Sequence, residues 1–472
     1  MQEAQIPPLP FARFGQLLPP PVFAEADTVM RRAGEAMRGR TLWNINTTLS
    51  GGGVAEILSA SLPYVRDAAI ACRWVMMDAT PDYLDVTKRL HNWLHGFRGD
   101  GGPLGAQQRQ CYDEVIASNA ERLLPMITSG DVVIVHDPQP AGLVPLLKQA
   151  GAHVIWRCHI GTDSPNDFTR HAWRFLLPDV SAADAYVFSR PHYLWDGLDP
   201  QRLHVIRPSI NPFSAKNQEL DPSTVDAIVK AAGIVAGQAE TPATYVRADA
   251  LAGEVTHSVT LPGGGEPVPE QAPFLLQAAR WDRLKDHEGV ISLFAKHIAH
   301  AHPEVHLVIA GPFADGVSDD PEGAEVMQEC VAAYRGLNAH LKPRVHLVCT
   351  PMDDLQETEA IVNALQRRAA VVFQKSQAEG FGLVIAEAMW KRRPVVASRV
   401  GGIQDQIEHG QSGVLIDDPA DGSAFADAAV ALLDDPPQAQ VLGRNAHERV
   451  LHHYLSSREL AETMRLVLAT VG

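Results

Sequence analysis

Two glutamates, Glu379 and Glu387, lie eight positions apart around a Gly380-Phe381-Gly382 turn. The turn leads into a helix predicted from about Leu383 to Lys391. A helix that starts after glycines presents unsatisfied backbone N–H groups and the positive end of its dipole, and both suit an anion. At a rise of roughly 1.5 Å per residue, Glu387 falls about two helical turns further on. One acid then reaches one end of a bound molecule and the second another part of it. A bare pair at this spacing also describes a solvated helix face. The glycine turn and the apolar strands on both sides favour a site.

Other reactive side chains fall at the ends of apolar runs. His136 and Asp137 follow Asp131–Val135, and Arg157 and His159 close the run that begins at His153. Arg280 ends the strand that starts at Phe274, and Lys285 precedes a helix predicted from about Glu288 to His300. Ser50-Gly51-Gly52-Gly53 separates the predicted strand Thr41–Asn46 from a helix-like segment, and glycines there let backbone approach a phosphate. Lys88, His91, Asn92 and His95 share a helical spacing within Thr80–Arg98, where a solvated face is the simpler account of any one of them. The acidic pair Asp319-Asp320 sits in a Pro/Gly-rich turn and reads as turn or cap chemistry rather than a metal site.

These residues need a scaffold that brings strand ends together. Apolar runs of four to six residues, each followed by polar residues and a helix, predict a parallel sheet with helical crossovers. In such sheets ligands bind at the carboxyl ends of the strands. The pattern occurs once before Arg207 and again from Phe274 onward. The expectation is an α/β chain with two doubly wound Rossmann-like domains facing an interdomain cleft. The boundaries read as a proline-rich lead-in at 1–40 and a first domain at 41–210. A linker and loop insertion follow at 211–272, with a candidate β-hairpin at 243–260. A second domain spans 273–455, and a terminal helix at 456–472 packs back on either domain.

Composition narrows the class. The chain has 472 residues, enough for two or three domains, and is 46% hydrophobic and 20% charged, as soluble globular proteins are. A net charge of −16 argues against non-specific nucleic-acid binding. No apolar run approaches the roughly 20 residues of a membrane span, and the N-terminus lacks signal-peptide order. Five scattered cysteines without a CxxC favour reduced thiols and a cytoplasmic setting.

Taken together the motifs resemble the retaining GT-B glycosyltransferases, and within them the trehalose synthases and the related retaining trehalose phosphorylases. In the first half they are Asn46 with Gly51-Gly52-Gly53-Val54-Ala55-Glu56, Val86-Thr87-Lys88 with His91-Asn92, His136-Asp137-Pro138-Gln139-Pro140, Trp156-Arg157-Cys158-His159-Ile160 and Pro208-Ser209-Ile210-Asn211-Pro212. In the second half they are Arg280-x-Asp282 with Lys285, Asp319-Asp320-Pro321-Glu322-Gly323, Glu379-Gly380-Phe381-Gly382 with Glu387, and Val400-Gly401-Gly402.

The resemblance implies glucose transfer from a nucleotide-glucose (UDP-, ADP- or GDP-glucose) to glucose, forming α,α-trehalose. It implies Arg280 and Lys285 on the donor diphosphate, Glu379 on donor-sugar hydroxyls and Glu387 on the ribose. It sets the backbone of Gly380, Phe381, Gly382 and Leu383 toward the donor, and Gly51, Gly52 and Gly53 over its phosphates. It puts His159 near the reacting carbon, making His159, Arg280, Lys285 and Glu379 the catalytic set. Lys88, Asn92, Asp137, Gln139 and Arg157 are the expected acceptor contacts. No metal or other cofactor is implied, the partners are small molecules, and a homodimer is left open. A phosphorylase that uses inorganic phosphate, or a non-catalytic sugar sensor on the same scaffold, stands beside this reading.

Overall fold

The computed structural model describes residues 1–49, 53–313 and 322–472. They form two compact units. The first comprises Met1–Ser209, Glu379–Phe381 and Tyr454–Gly472, and the second Ile210–Ala378 and Gly382–His453.

The sheet of the first unit contains β1 (Gln2–Glu3), β2 (Thr41–Asn46), β3 (Ala71–Met76), β4 (Val132–His136), β5 (His153–Cys158), β6 (Ala185–Phe188) and β7 (Leu203–Val205). Their order is β1-β3-β2-β4-β5-β6-β7, and every pairing but that of β1 is parallel. Strands buried on both faces read as continuous apolar runs, and β4 is buried at all five residues. Between β2 and β4 the winding reverses direction, and such a switch point opens a crevice at the strand ends.

The second unit holds a small antiparallel hairpin, β8 (Thr244–Val246) and β9 (Ala252–Glu254), within the span where the sequence suggests one. Its main sheet contains β10 (Phe274–Ala278), β11 (His306–Pro312), β12 (Val345–Thr350), β13 (Val371–Gln374), β14 (Val395–Ser398) and β15 (Val414–Ile416). The order β12-β11-β10-β13-β14-β15 is parallel throughout. This is the doubly wound dinucleotide-fold order, with its switch point between β10 and β13. The α/β, doubly wound expectation therefore holds in both units.

Two segments read from sequence as irregular are partly helical. The lead-in contains a helix at Pro20–Ala36 that packs against the terminal helix Ser456–Val471. The 211–272 segment contains a helix at Pro222–Ala231, packed on the helix Leu355–Arg368. In both cases prolines that read as breakers occupy the first helical turn, where their missing N–H and fixed φ cost nothing. Asp221 caps the second of these helices through Ser223 and Thr224. No helix among the described residues is long and apolar enough to cross a membrane.

Candidate active site

In the first unit Asp137, Arg157 and His159 gather at the β2/β4 switch point and the neighbouring end of β5. Asp137 leaves β4 in a left-handed conformation, φ 65°. Its N–H donates to the Arg157 carbonyl at 2.8 Å, and one carboxylate oxygen accepts the His159 N–H at 2.7 Å. Asp137 thus ties the exits of β4 and β5 together and fixes the backbone of His159. Burial pushes its carboxyl up to about 7, although the His159 N–H and the Arg157 charge pull the other way.

Arg157 is buried in an ion pair with Glu459 at 2.6 Å. The second Glu459 oxygen accepts a short hydrogen bond from the Ser209 hydroxyl. The pair locks the Arg157 side chain to the terminal helix. Lys88 is half-buried on the helix Pro81–Leu94 and Asn92 is buried on it. Gln139 is half-buried after β4, and its carbonyl accepts the Tyr83 hydroxyl.

The Glu379–Phe381 turn belongs to this same compact unit. The Tyr193 hydroxyl lies 3.2 Å from the carbonyls of both Glu379 and Gly380. A Cβ at Gly380 would stand 2.5 Å from the His159 carbonyl oxygen, so only glycine lets the two backbones approach this closely. Gly161 makes a similar allowance, since a Cβ there would lie 2.2 Å from the Tyr193 ring. Phe381 packs on Tyr454 with ring centroids 5.8 Å apart. The structure therefore brings Glu379, Gly380 and His159 together.

In the second unit Arg280 and Lys285 follow β10 at its switch point, and both are half-buried. Two residues that the sequence reading passed over hold them. Gln277, fully buried on β10, donates to the Lys285 carbonyl at 2.9 Å and accepts the Lys375 N–H at 2.9 Å. His287 lies 2.9 Å from the Arg280 carbonyl through Nε2 and 3.0 Å from the Gln277 amide nitrogen through Nδ1. Burial lowers the His287 pKa to about 4, which leaves a neutral ring that donates from Nε2. The signal was legible: a glutamine inside an otherwise apolar strand has to be hydrogen-bonded.

Gly382 adopts φ 85° and starts the helix Leu383–Trp390, whose first turn has no side-chain cap. Glu387, on that helix, is fully buried. Its Oε1 lies 2.8 Å from Lys216 Nζ, and the Gln366 amide reaches its Oε2 at 3.4 Å. Lys216 comes from the segment read as linker, so that segment is integral to the unit. Glu359 shares the lysine's field. Burial raises its carboxyl to about 7, with Lys216 opposing and Glu387 reinforcing the shift. Of the predicted phosphate-loop glycines, Gly53 begins the helix Gly53–Asp67, and Gly51 and Gly52 lie outside the described residues. Asp319 and Asp320 lie outside them too.

A family model described as the trehalose synthase N-terminal domain matches residues 44–195, and one described as glycosyl transferases group 1 matches 265–449. A trehalose synthase of Rubrobacter xylanophilus is 36% identical over 443 residues, covering 92% of each chain. The chain belongs to the trehalose synthase family of glycosyltransferases. It is accordingly an enzyme of glycosyl transfer around trehalose. A trehalose phosphorylase of Pleurotus pulmonarius is 25% identical over 409 residues, covering 81% of this chain and 50% of its own. Among solved structures, an Escherichia coli trehalose-6-phosphate protein bound with UDP-2-fluoro glucose matches with a TM-score of 0.64 and 14% identity, covering 91% of this chain and 99% of its own. That likeness speaks to the fold, which is GT-B.

Proposed function

We propose that this member of the trehalose synthase family transfers glucose, with retention, from a nucleotide-glucose to free glucose and releases α,α-trehalose and a nucleoside diphosphate. The observation that carries the reading is the backbone contact of Gly380 with His159, which holds the sugar-side acid Glu379 next to a strand-end histidine. Relatives of full length that are named trehalose synthases support the same reading.

In this account Arg280 and Lys285 balance the charge of the leaving diphosphate, and the N–H groups that open the Leu383–Trp390 helix add positive potential. Glu379 holds donor-sugar hydroxyls, His159 lies beside the reacting carbon, and Glu387 takes the ribose hydroxyls in place of Lys216. Lys88, Asn92 and Gln139 face the acceptor glucose. A leaving-phosphate oxygen receives the acceptor's proton as the new bond forms on the same face of the sugar. That step needs no strong protein base, unlike hydrolysis between two opposed carboxylates, and it calls for no metal or organic cofactor.

The test is to incubate the protein with glucose and UDP-, ADP- or GDP-glucose and to quantify trehalose and nucleoside diphosphate. Equimolar release of the two with at least one donor is expected. Absence of transfer from all three, with glucose 1-phosphate formed from trehalose and phosphate, would overturn the proposal in favour of a phosphorylase.

A further inference from the structure

The His159 ring is half-buried, and its hydrogen-bonding state is set from inside the sheet. Its Nε2 lies 3.4 Å from Nδ1 of His136, a ring that is 2% exposed. The two ring planes differ by 14° and the centroids are 5.7 Å apart. That separation exceeds the N–N distance by about two imidazole radii. The rings therefore meet edge to edge in a common plane rather than face on face, which is the alignment of a long hydrogen bond. The other nitrogen of His136, Nε2, lies 3.0 Å from the side-chain oxygen of Asn44, itself 2% exposed on β2. The relay thus crosses the switch point of the first sheet, from β2 to β4 and on to the end of β5.

Donor and acceptor roles propagate along such a chain. With its oxygen toward His136 the Asn44 amide accepts, and its Nδ2 stays buried without a hydrogen-bond partner among the described residues. In that orientation Nε2 of His136 carries a proton and its Nδ1 presents a lone pair. His159 must then donate from Nε2, which leaves its own Nδ1 as a lone pair. Nδ1 of His159 has no hydrogen-bond partner among the described residues. Burial and the nearby Arg157 charge lower the pKa of both rings well below the ordinary value, in keeping with a neutral pair.

We propose that Asn44 and His136 are positioning residues that lock His159 in the Nε2–H tautomer, so that His159 meets the sugar as a hydrogen-bond acceptor for one hydroxyl. This rests on the proposed place of His159 beside the donor sugar. It adds a specificity: the recognised hydroxyl must donate.

Two measurements test it. In the ligand-free protein, nitrogen-15 shifts of the His159 ring, assigned with His159→Gln, should show protonated Nε2 and bare Nδ1. Asn44→Leu and His136→Phe should give mixed tautomers in a chain of unchanged circular dichroism. A protonated Nδ1 in the unaltered protein, or a single Nε2–H tautomer in both variants, overturns the proposal. The second measurement uses nucleotide-glucose donors deoxygenated or fluorinated at one sugar hydroxyl at a time. Fluorine accepts but does not donate. At the hydroxyl facing His159, the deoxy and fluoro donors should therefore lose kcat/KM alike, by about three- to tenfold, the worth of one neutral hydrogen bond. His159→Ala should erase that loss. A fluoro donor that keeps full activity where the deoxy donor loses it, with the difference gone in His159→Ala, overturns the acceptor role. If His159→Ala changes no donor's kinetics, the placement of His159 fails while the tautomer result still stands or falls on the ring shifts.

Discussion

Lys216 Nζ stands 2.8 Å from Oε1 of Glu387, a carboxylate with no exposed surface. A buried charge deprived of its partner is destabilising by about 3–5 kcal/mol. Lys216→Met is therefore expected to lower the urea midpoint by an amount on that scale. An unchanged midpoint would contradict the pairing. Glu387→Ala should raise the nucleoside diphosphate Kd about tenfold or more, on the scale of a charge-assisted hydrogen bond. Unchanged affinity by calorimetry would contradict the ribose role proposed for it.

Gly380→Ala places a methyl group where 2.5 Å separates it from the His159 carbonyl oxygen. That oxygen is backbone, so the turn itself must move. Displacing a substrate-positioning group by about 1 Å costs on the order of 10²-fold in rate. We expect kcat/KM to fall about that far while the melting temperature drops by only a few degrees. Activity within twofold of the unaltered enzyme would show that the turn does not need this contact.

Asp137 gives a pH prediction of defined sign. Its folded pKa, about 7, lies above the ordinary aspartate value. The folded state therefore holds a proton that the unfolded state has released, and this group's contribution to stability falls as pH rises from about 4 to 7. Asp137→Asn removes that slope and tolerates the left-handed backbone at φ 65°. The variant should match the unaltered protein below pH 4 and exceed it by roughly 2–4 kcal/mol at pH 8. Equal stability at pH 8 would mean that the Asp137 pKa is not raised in the folded protein.

The Arg157–Glu459 pair joins β5 to the terminal helix at 2.6 Å. Glu459→Ala should cost about 3–5 kcal/mol by leaving the guanidinium buried without its partner. The double replacement Arg157→Met, Glu459→Leu should recover most of that loss, because a buried ion pair is often matched by apolar residues of similar volume. If the double variant is no more stable than Glu459→Ala, the pair is not the source of the cost.

Much of this architecture is legible in the residues. Fully buried parallel strands such as Val132–His136 announce themselves as unbroken apolar runs, and the Gly380-Phe381-Gly382 turn marks a helix start. The helices at Pro20–Ala36 and Pro222–Ala231 are obscured by prolines that sit harmlessly in their first turns. The site residues are harder to read, because sequence spacing cannot say which polar group a buried side chain will meet. Arg157 looked available to a sugar and is engaged by Glu459, more than three hundred residues away. Lys216 looked like linker and sits on Glu387. Gln277, which ties down the Lys285 loop, carries a signal as a polar residue in an apolar strand, whereas His287, between Asp286 and Glu288, carries none.

The central claim is that the cleaved bond joins glucose to a nucleotide. The most direct measurement is proton NMR of the anomeric region in phosphate-free buffer, with nucleotide-glucose and glucose present, run beside a sample containing trehalose and phosphate. The account predicts that the donor anomeric signal is replaced by that of α,α-trehalose in the first sample, with no glucose 1-phosphate in the second. It predicts no conversion in either sample with Glu379→Ala. Glucose 1-phosphate from trehalose and phosphate, with every nucleotide-glucose left intact, would contradict it.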